Sequence, residues 1–265
     1  MKEGERVRDI EGFNLLRLRQ VNKRPAPIEL VGAARLAKWL FNLTVWRHWR
    51  GRGNIPADGP AIIVVNHISN ADPVAICEFL IYAGRWPHIL ARDNLLDPRH
   101  WWGRLFRRWG MIPVERGSIR AKDSLIAAKK ALLDGQIVVI YPESTFTQDP
   151  LGWPMTGHTG AVRLAMETGV PLIPIGQWGP QQFMPGLNAT YPRIFPRKTF
   201  QITARPPIDL TDLIAMEDRG EAVRRGIDRV MDVLTEIVAE LRHEEPPPGR
   251  YDRKTGLRVA SRDKD

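Results

Sequence analysis

The chain has one cysteine in 265 residues, which excludes a disulfide framework and any zinc site built on several thiolates. It also lacks a clean membrane span, because its best apolar stretch, Ile28 to Trp46, is interrupted by Arg35 and Lys38. Each of those charges would cost about 2.5–3.5 kcal/mol at the centre of a bilayer. The opening MKEGERVRDIEGFNLLRLRQ has no apolar core of the kind a secretory signal needs, so a cytosolic location is expected. Acidic residues are in deficit, 30 against 39 Lys and Arg, and the net charge is +9. That sign suits an anionic partner, a lipid surface or a nucleic acid. No helix-turn-helix, RNP-like or zinc-finger pattern organises the second, so nucleic acid is not an expected partner. A hydrophobic fraction of 43% excludes wholesale disorder.

What is abundant is tryptophan, nine residues, several of them beside arginine: WRHWR at 46–50 and RHWWGRLFRRWG at 99–110. Trp next to Arg suits a water–lipid boundary. The stripe Leu36, Trp39, Leu40, Leu43, Trp46 has helical spacing, which predicts an amphipathic helix lying on a membrane surface or packed on its own domain. Trp39, Trp46, Trp49, Arg50, Trp101 and Trp102 are the candidate membrane contacts, on an anionic leaflet at the cytoplasmic face, with peripheral or monotopic attachment.

From Pro60 onward, short apolar runs alternate with helical patterns. Strands are expected at 61–65, 88–91, 111–114, 136–141, 171–176 and 200–204, and helices at 73–82, 99–109, 121–133, 159–168 and 220–243. This alternation indicates an α/β fold, a mixed and largely parallel sheet flanked by helices, preceded by the amphipathic helical segment. Three regions follow: 1–55 as a polar arm and membrane-surface helix, 56–243 as the α/β domain, and 244–265, with PPPG and few apolar residues, as a flexible tail.

The chemistry concentrates after the first strand, in Asn66-His67-Ile68-Ser69-Asn70-Ala71-Asp72-Pro73. A histidine at a strand end with a carboxylate five residues on lets Asp72 accept from His67 Nδ1–H, leaving Nε2 as a general base. The same Asp72-Pro73 pair would also cap a helix with no catalytic role. Cys77, among Val74, Ile76 and Leu80, reads as a core residue, and His158 as structural or exposed.

Order along the chain sharpens this. The first segment resembles the NHxxxxD block of the glycerolipid acyltransferases, lysophospholipid and 1-acyl-sn-glycerol-3-phosphate acyltransferases among them. Gly110–Arg116 (GMIPVER), Tyr141–Thr145 (YPEST) and Val170–Ile175 (VPLIPI) resemble that family's second, third and fourth blocks in sequence, so the likeness covers about residues 30–210. It implies direct transfer of a fatty acyl group from acyl-CoA or acyl-ACP to the hydroxyl of lysophosphatidic acid, in phospholipid biosynthesis. His67 and Asp72 would be catalytic. Arg116, Glu143, Arg92, Ser144 and Thr145 would hold the acceptor's phosphate or headgroup. No metal or cofactor is implied, since a thioester is already activated; an acyl carrier protein would be a partner where acyl-ACP is the donor.

Two positions depart from the family pattern. Ser144 stands where glycine is usual, and Phe146 where an arginine usually grips phosphate. Arg120, Lys122 and the hydroxyl of Thr147 are substitutes in chemical type. The departure leaves room for another lysophospholipid or a glycolipid as acceptor. Outside acyl transfer, the readings are an acyl-thioester hydrolase using the same pair on water, and a non-enzymatic peripheral membrane-binding protein.

Overall fold

The computed structural model describes residues 41–114, 121–186 and 191–261, together with Gly32, Leu36 and Trp39. Seven strands form one sheet: β1 (Val45–Arg50), β2 (Ala61–Val65), β3 (Pro87–Arg92), β4 (Ile112–Val114), β5 (Ile137–Ile140), β6 (Leu172–Trp178) and β7 (Lys198–Ala204). Their order is β1-β7-β6-β2-β5-β3-β4. The block β6-β2-β5-β3-β4 is parallel throughout, β7 runs antiparallel to β6, and β1 is parallel to β7. The expected mixed, largely parallel sheet is therefore present.

The sequence reason is plain in β2 and β5, AIIVV and IVVI, whose residues are all buried. A strand apolar on both faces must be covered on both. On one face Ala61, Ile63 and Val65 pack with Ala75, Ile76, Phe79 and Leu80 of helix α1 (Asp72–Tyr82). On the other, Ile62 and Val64 pack against α3 (Ala121–Leu133), α4 (Gly160–Thr168) and the long α5 (Arg219–Arg242). Helix α2 (Trp101–Arg108) leads into β4. Asp218 begins α5, accepting from the amides of Gly220 and Glu221 at 2.8 and 3.0 Å. Gly176 of β6 lets α5 approach closely, since a Cβ there would collide with Ile237.

Three expectations need correction. The helix expected to reach Trp46 ends at Thr44, and 45–50 is an edge strand belonging to the sheet, so the boundary at 55 divides the α/β domain. The segment alternates inward Val45, Arg47 and Trp49 with partly exposed residues, a period of two that overrides the helical stripe. Arg47 is tolerated inside because Glu78 takes its guanidinium at 3.0 and 2.7 Å and Asn42 accepts at 2.9 Å. Trp49, offered as a membrane contact, is 1% exposed and packs edge-on against Phe79 and Tyr82. Residues 244–261 are not a free tail: β8 (Arg250–Tyr251) and β9 (Arg258–Val259) pair as a hairpin, and Arg250 is buried against Asp228 and Asp232.

The remaining membrane candidates divide by exposure. Trp39 is 60% and Trp101 65% exposed, Trp102 and Arg50 are exposed, and half-buried Trp46 lies under the guanidinium of Arg197 at 4.5 Å. Among the described residues no helix is long and apolar enough to cross a membrane.

Candidate active site

The parallel strands all end on one edge of the sheet, and the motif residues meet there. Asn66, first past β2, is tied to β6: Gln177 N donates to Asn66 Oδ1 at 2.8 Å, Asn66 Nδ2 to Gln177 O at 3.1 Å, and Gln177 Nε2 to Asn66 O at 3.0 Å. These three bonds fix where the chain leaves the sheet. The turn 68–71 then folds the chain back so that Asp72 opens α1, with Pro73 in its first turn.

His67 Nδ1 lies 2.9 Å from Asp72 Oδ2. The same oxygen accepts from the amides of Ile68 at 2.6 Å and Ser69 at 2.7 Å. A carboxylate only accepts, so Nδ1 carries the proton and Nε2 keeps its lone pair. Asp72 is fully buried; burial pushes its carboxyl up from the ordinary value, while the bonds from His67, Ser69 and Ile68 pull it down. The helix is not capped by Asp72, whose side chain serves the preceding turn instead.

The imidazole is held between two rings. Tyr141 stacks on it at 4.2 Å between centroids and Phe146 lies tilted against it at 4.3 Å. Its main chain is held on both sides by the loop after β5: His67 N donates to Glu143 Oε1 at 2.8 Å, and Thr147 N donates to His67 O at 2.7 Å. Glu143 Oε2 accepts from Met155 N at 3.1 Å. Glu143 was expected to touch the acceptor; instead it is 2% exposed and spends both oxygens on backbone amides. Burial raises its pKa to about 8, against the pull of those two amides.

His67 opens onto a cavity of about 660 Å³ that runs between α1, β3, α2 and β4. Its walls are mainly apolar, with Val74, Ile81, Leu90, Phe106 and Trp109 among them. Arg92, Ser144 and Thr145, expected as substrate contacts, also line it and share the space with His67, as does Phe146. Arg116 and Arg120 lie outside the described residues, as does the side chain of Lys122. Cys77 lines the cavity as well, but burial pushes its thiol up to about 12, far from a nucleophile's range. Exposed His158 lies outside the lining. Among the described residues no group of three or more His, Cys, Asp or Glu is placed to hold a metal ion.

Sequence reasoning missed Gln177 and Met155, which act through backbone contacts. It noted Phe146 as a lost arginine and not as a ring on the histidine. Aromatic residues flanking the third block were the available signal.

A family model described as Acyltransferase matches residues 47–178. The chain is 29% identical over 156 residues to the chloroplastic 1-acyl-sn-glycerol-3-phosphate acyltransferase BAT2 of Brassica napus, a match covering 57% of this chain and 43% of that protein. The chain thus spans less than half the length of that relative. In fold it is similar to the crystal structure of the 1-acyl-sn-glycerophosphate (LPA) acyltransferase PlsC from Thermotoga maritima, with a TM-score of 0.61 and 21% identity, covering 88% of this chain and 89% of that one.

Proposed function

We propose that the chain, whose residues 47–178 match the Acyltransferase family model, transfers a fatty acyl group from an acyl thioester to the hydroxyl of lysophosphatidic acid, forming phosphatidic acid. The observation that carries this reading is the His67–Asp72 pair opening into a mainly apolar cavity of about 660 Å³. The apolar walls suit an acyl chain, and the imidazole in the same cavity suits the carbonyl carbon of the thioester.

His67 Nε2 removes the proton from the acceptor hydroxyl as its oxygen attacks the thioester carbonyl. Asp72, held by two backbone amides, stabilises the imidazolium that forms. The tetrahedral intermediate collapses with cleavage of the carbon–sulfur bond, and the thiolate leaves with the proton that His67 returns. No acyl-enzyme forms, so no nucleophilic side chain is needed. The amides of His67, Ile68, Ser69 and Thr147 are engaged by Glu143, Asp72, Asp72 and His67 O, so none of these four stabilises the oxyanion.

The acceptor phosphate is assigned to Arg92 and to Arg116, with Ser144 and Thr145 as hydroxyl donors. Phe146 supports a second reading of the acceptor. Its ring covers the histidine where a cation would face phosphate, which favours a lysolipid whose headgroup is not a phosphomonoester. The donor is acyl-CoA or acyl-ACP, both acidic, and the basic surface suits either. Attachment is peripheral, at the cytoplasmic face of an anionic membrane, through exposed Trp39, Trp101, Trp102 and Arg50.

Purified protein is to be assayed with palmitoyl-CoA and lysophosphatidic acid beside His67→Ala. Phosphatidic acid from the wild type, with loss of about 10²–10⁴-fold in the variant, supports the reading. Free fatty acid without new lipid would overturn it in favour of a hydrolase. Product from lysophosphatidylcholine or a glycolipid alone would shift the acceptor to the second reading. Co-sedimentation with anionic vesicles that vanishes at high salt supports peripheral attachment; absent or salt-indifferent binding would overturn it.

A further inference from the structure

The loop 142–158 holds the main chain of His67 on both sides, and that loop is itself held from outside by the C-terminal hairpin. Arg258 Nη2 donates to Asp149 Oδ2 at 2.6 Å, and the Asp149 side chain has no exposure to solvent. Asp149 N donates to Thr147 Oγ1 at 3.3 Å, Thr147 Oγ1 donates to Trp153 O at 2.6 Å, and Thr147 N donates to His67 O. A second route starts at Tyr251, the residue paired with Arg258 across the same hairpin. Thr156 N donates to Tyr251 O at 3.0 Å, and neighbouring Met155 N donates to Glu143 Oε2, whose other oxygen accepts from His67 N. The end of α5 adds a third grip, with Arg242 between the rings of Trp153 and Trp178 at 4.0 and 4.4 Å and donating to Leu151 O at 2.9 Å.

The hairpin is anchored independently of the loop. Arg250 is buried against Asp228 and Asp232 of α5, and Ser261 Oγ donates to Asp232 Oδ2 at 2.6 Å. Its position is thus set by the helix that backs the sheet, and it transfers that position to the loop. A buried Asp149 needs its cation, so the Arg258 contact has a strong physical reason to stay closed.

We infer that Arg258, through Asp149 and Thr147, is a positioning residue for His67, and that the C-terminal hairpin sets the register of the catalytic loop. It touches neither substrate nor reacting atoms. Its effect is on the placement of the imidazole, so it acts on turnover more than on binding.

The test compares wild type, Arg258→Ala, Arg258→Lys and, as a control in the exposed turn, Arg253→Ala, by backbone amide exchange and by kinetics with palmitoyl-CoA and lysophosphatidic acid. In Arg258→Ala, exchange is expected to rise about fivefold in 66–69 as well as in 143–156. kcat is expected to fall about tenfold with KM within about twofold. Arg258→Lys restores most of both, and Arg253→Ala changes neither. A folded Arg258→Ala whose exchange rises in 143–156 alone, or whose kcat is unchanged, overturns the inference. Should Arg258→Ala fail to fold, the isosteric Asp149→Asn is read by the same criteria. The kinetic arm rests on the acyl-transfer reading, and the exchange arm does not. A wild type without turnover therefore counts against that reading alone, and the exchange of 66–69 still decides the role of Arg258.

Discussion

The carboxyl ends of β2 and β5 lie side by side, and each delivers a buried carboxyl group, yet the two groups serve different ends. Asp72 gathers three donors on one oxygen, one of them the imidazole, and so fixes the tautomer of a reactive ring. Glu143 gathers two donors, one on each oxygen, both of them backbone amides, and so fixes a loop. In the proposed reaction Asp72 faces a group that takes up a proton, whereas Glu143 faces backbone amides whose charge does not change. A carboxyl at a strand end therefore becomes reactive or structural according to what donates to it.

The largest effect expected on the Asp72 side is Asp72→Asn, which keeps an amide oxygen for the three donors but removes the negative charge that stabilises the imidazolium. Acyl transfer should fall about 10²–10⁴-fold with thermal stability little changed. Equal loss of stability and activity would show that Asp72 is structural in the same sense as Glu143. On the Glu143 side, Glu143→Ala leaves two buried amides without partners, at about 1–3 kcal/mol each, and urea unfolding should register a loss of about 2–6 kcal/mol.

A pH series sharpens the contrast. Glu143 titrates near 8 when folded and at its ordinary value, 4.5, when unfolded, so between these the folded state binds more protons. Stability contributed by the protonated group is then full below the unfolded value and is lost as pH rises toward 8, with a slope on the order of 1 kcal/mol per unit. Glu143→Gln should flatten that slope, and an unchanged slope assigns it elsewhere. The smallest effect belongs to Ser144, which holds φ at 59°, a left-handed backbone that glycine adopts without strain. Ser144→Gly should change stability by under about 1 kcal/mol, in the stabilising direction, read from the midpoint of urea unfolding.

Much of the site was legible in order along the chain. His67 and Asp72 are five residues apart with a strand before and a helix after, and that arrangement by itself nearly forces their contact. Arg92, Ser144 and Thr145 were named through the likeness to the family's blocks, and they share the cavity with His67 because parallel strands bring their carboxyl ends together. The segment 45–50 was misread because Trp and Arg at helical spacing also fit a strand whose inward arginine finds a carboxylate. Glu78, which accepts from Arg47, lies far along the chain. The hairpin at 250–259 was misread because its anchors are charged residues paired with charged residues of α5, and composition registers such pairs as solvated.

By itself, the sequence determined the alternation of apolar strands and amphipathic helices, hence a largely parallel sheet covered on both faces, and the local reach of Asp72 back to His67. These depend on spacings of a few residues, which periodicity encodes. The tertiary structure decided that Glu143 works on the main chain, that Phe146 and Tyr141 sandwich the imidazole, that Trp49 and Arg47 turn inward, and that the chain's last hairpin braces the loop beside His67. Each of those depends on a partner dozens of residues away, or on which backbone group comes within 3 Å, and local pattern carries no record of either.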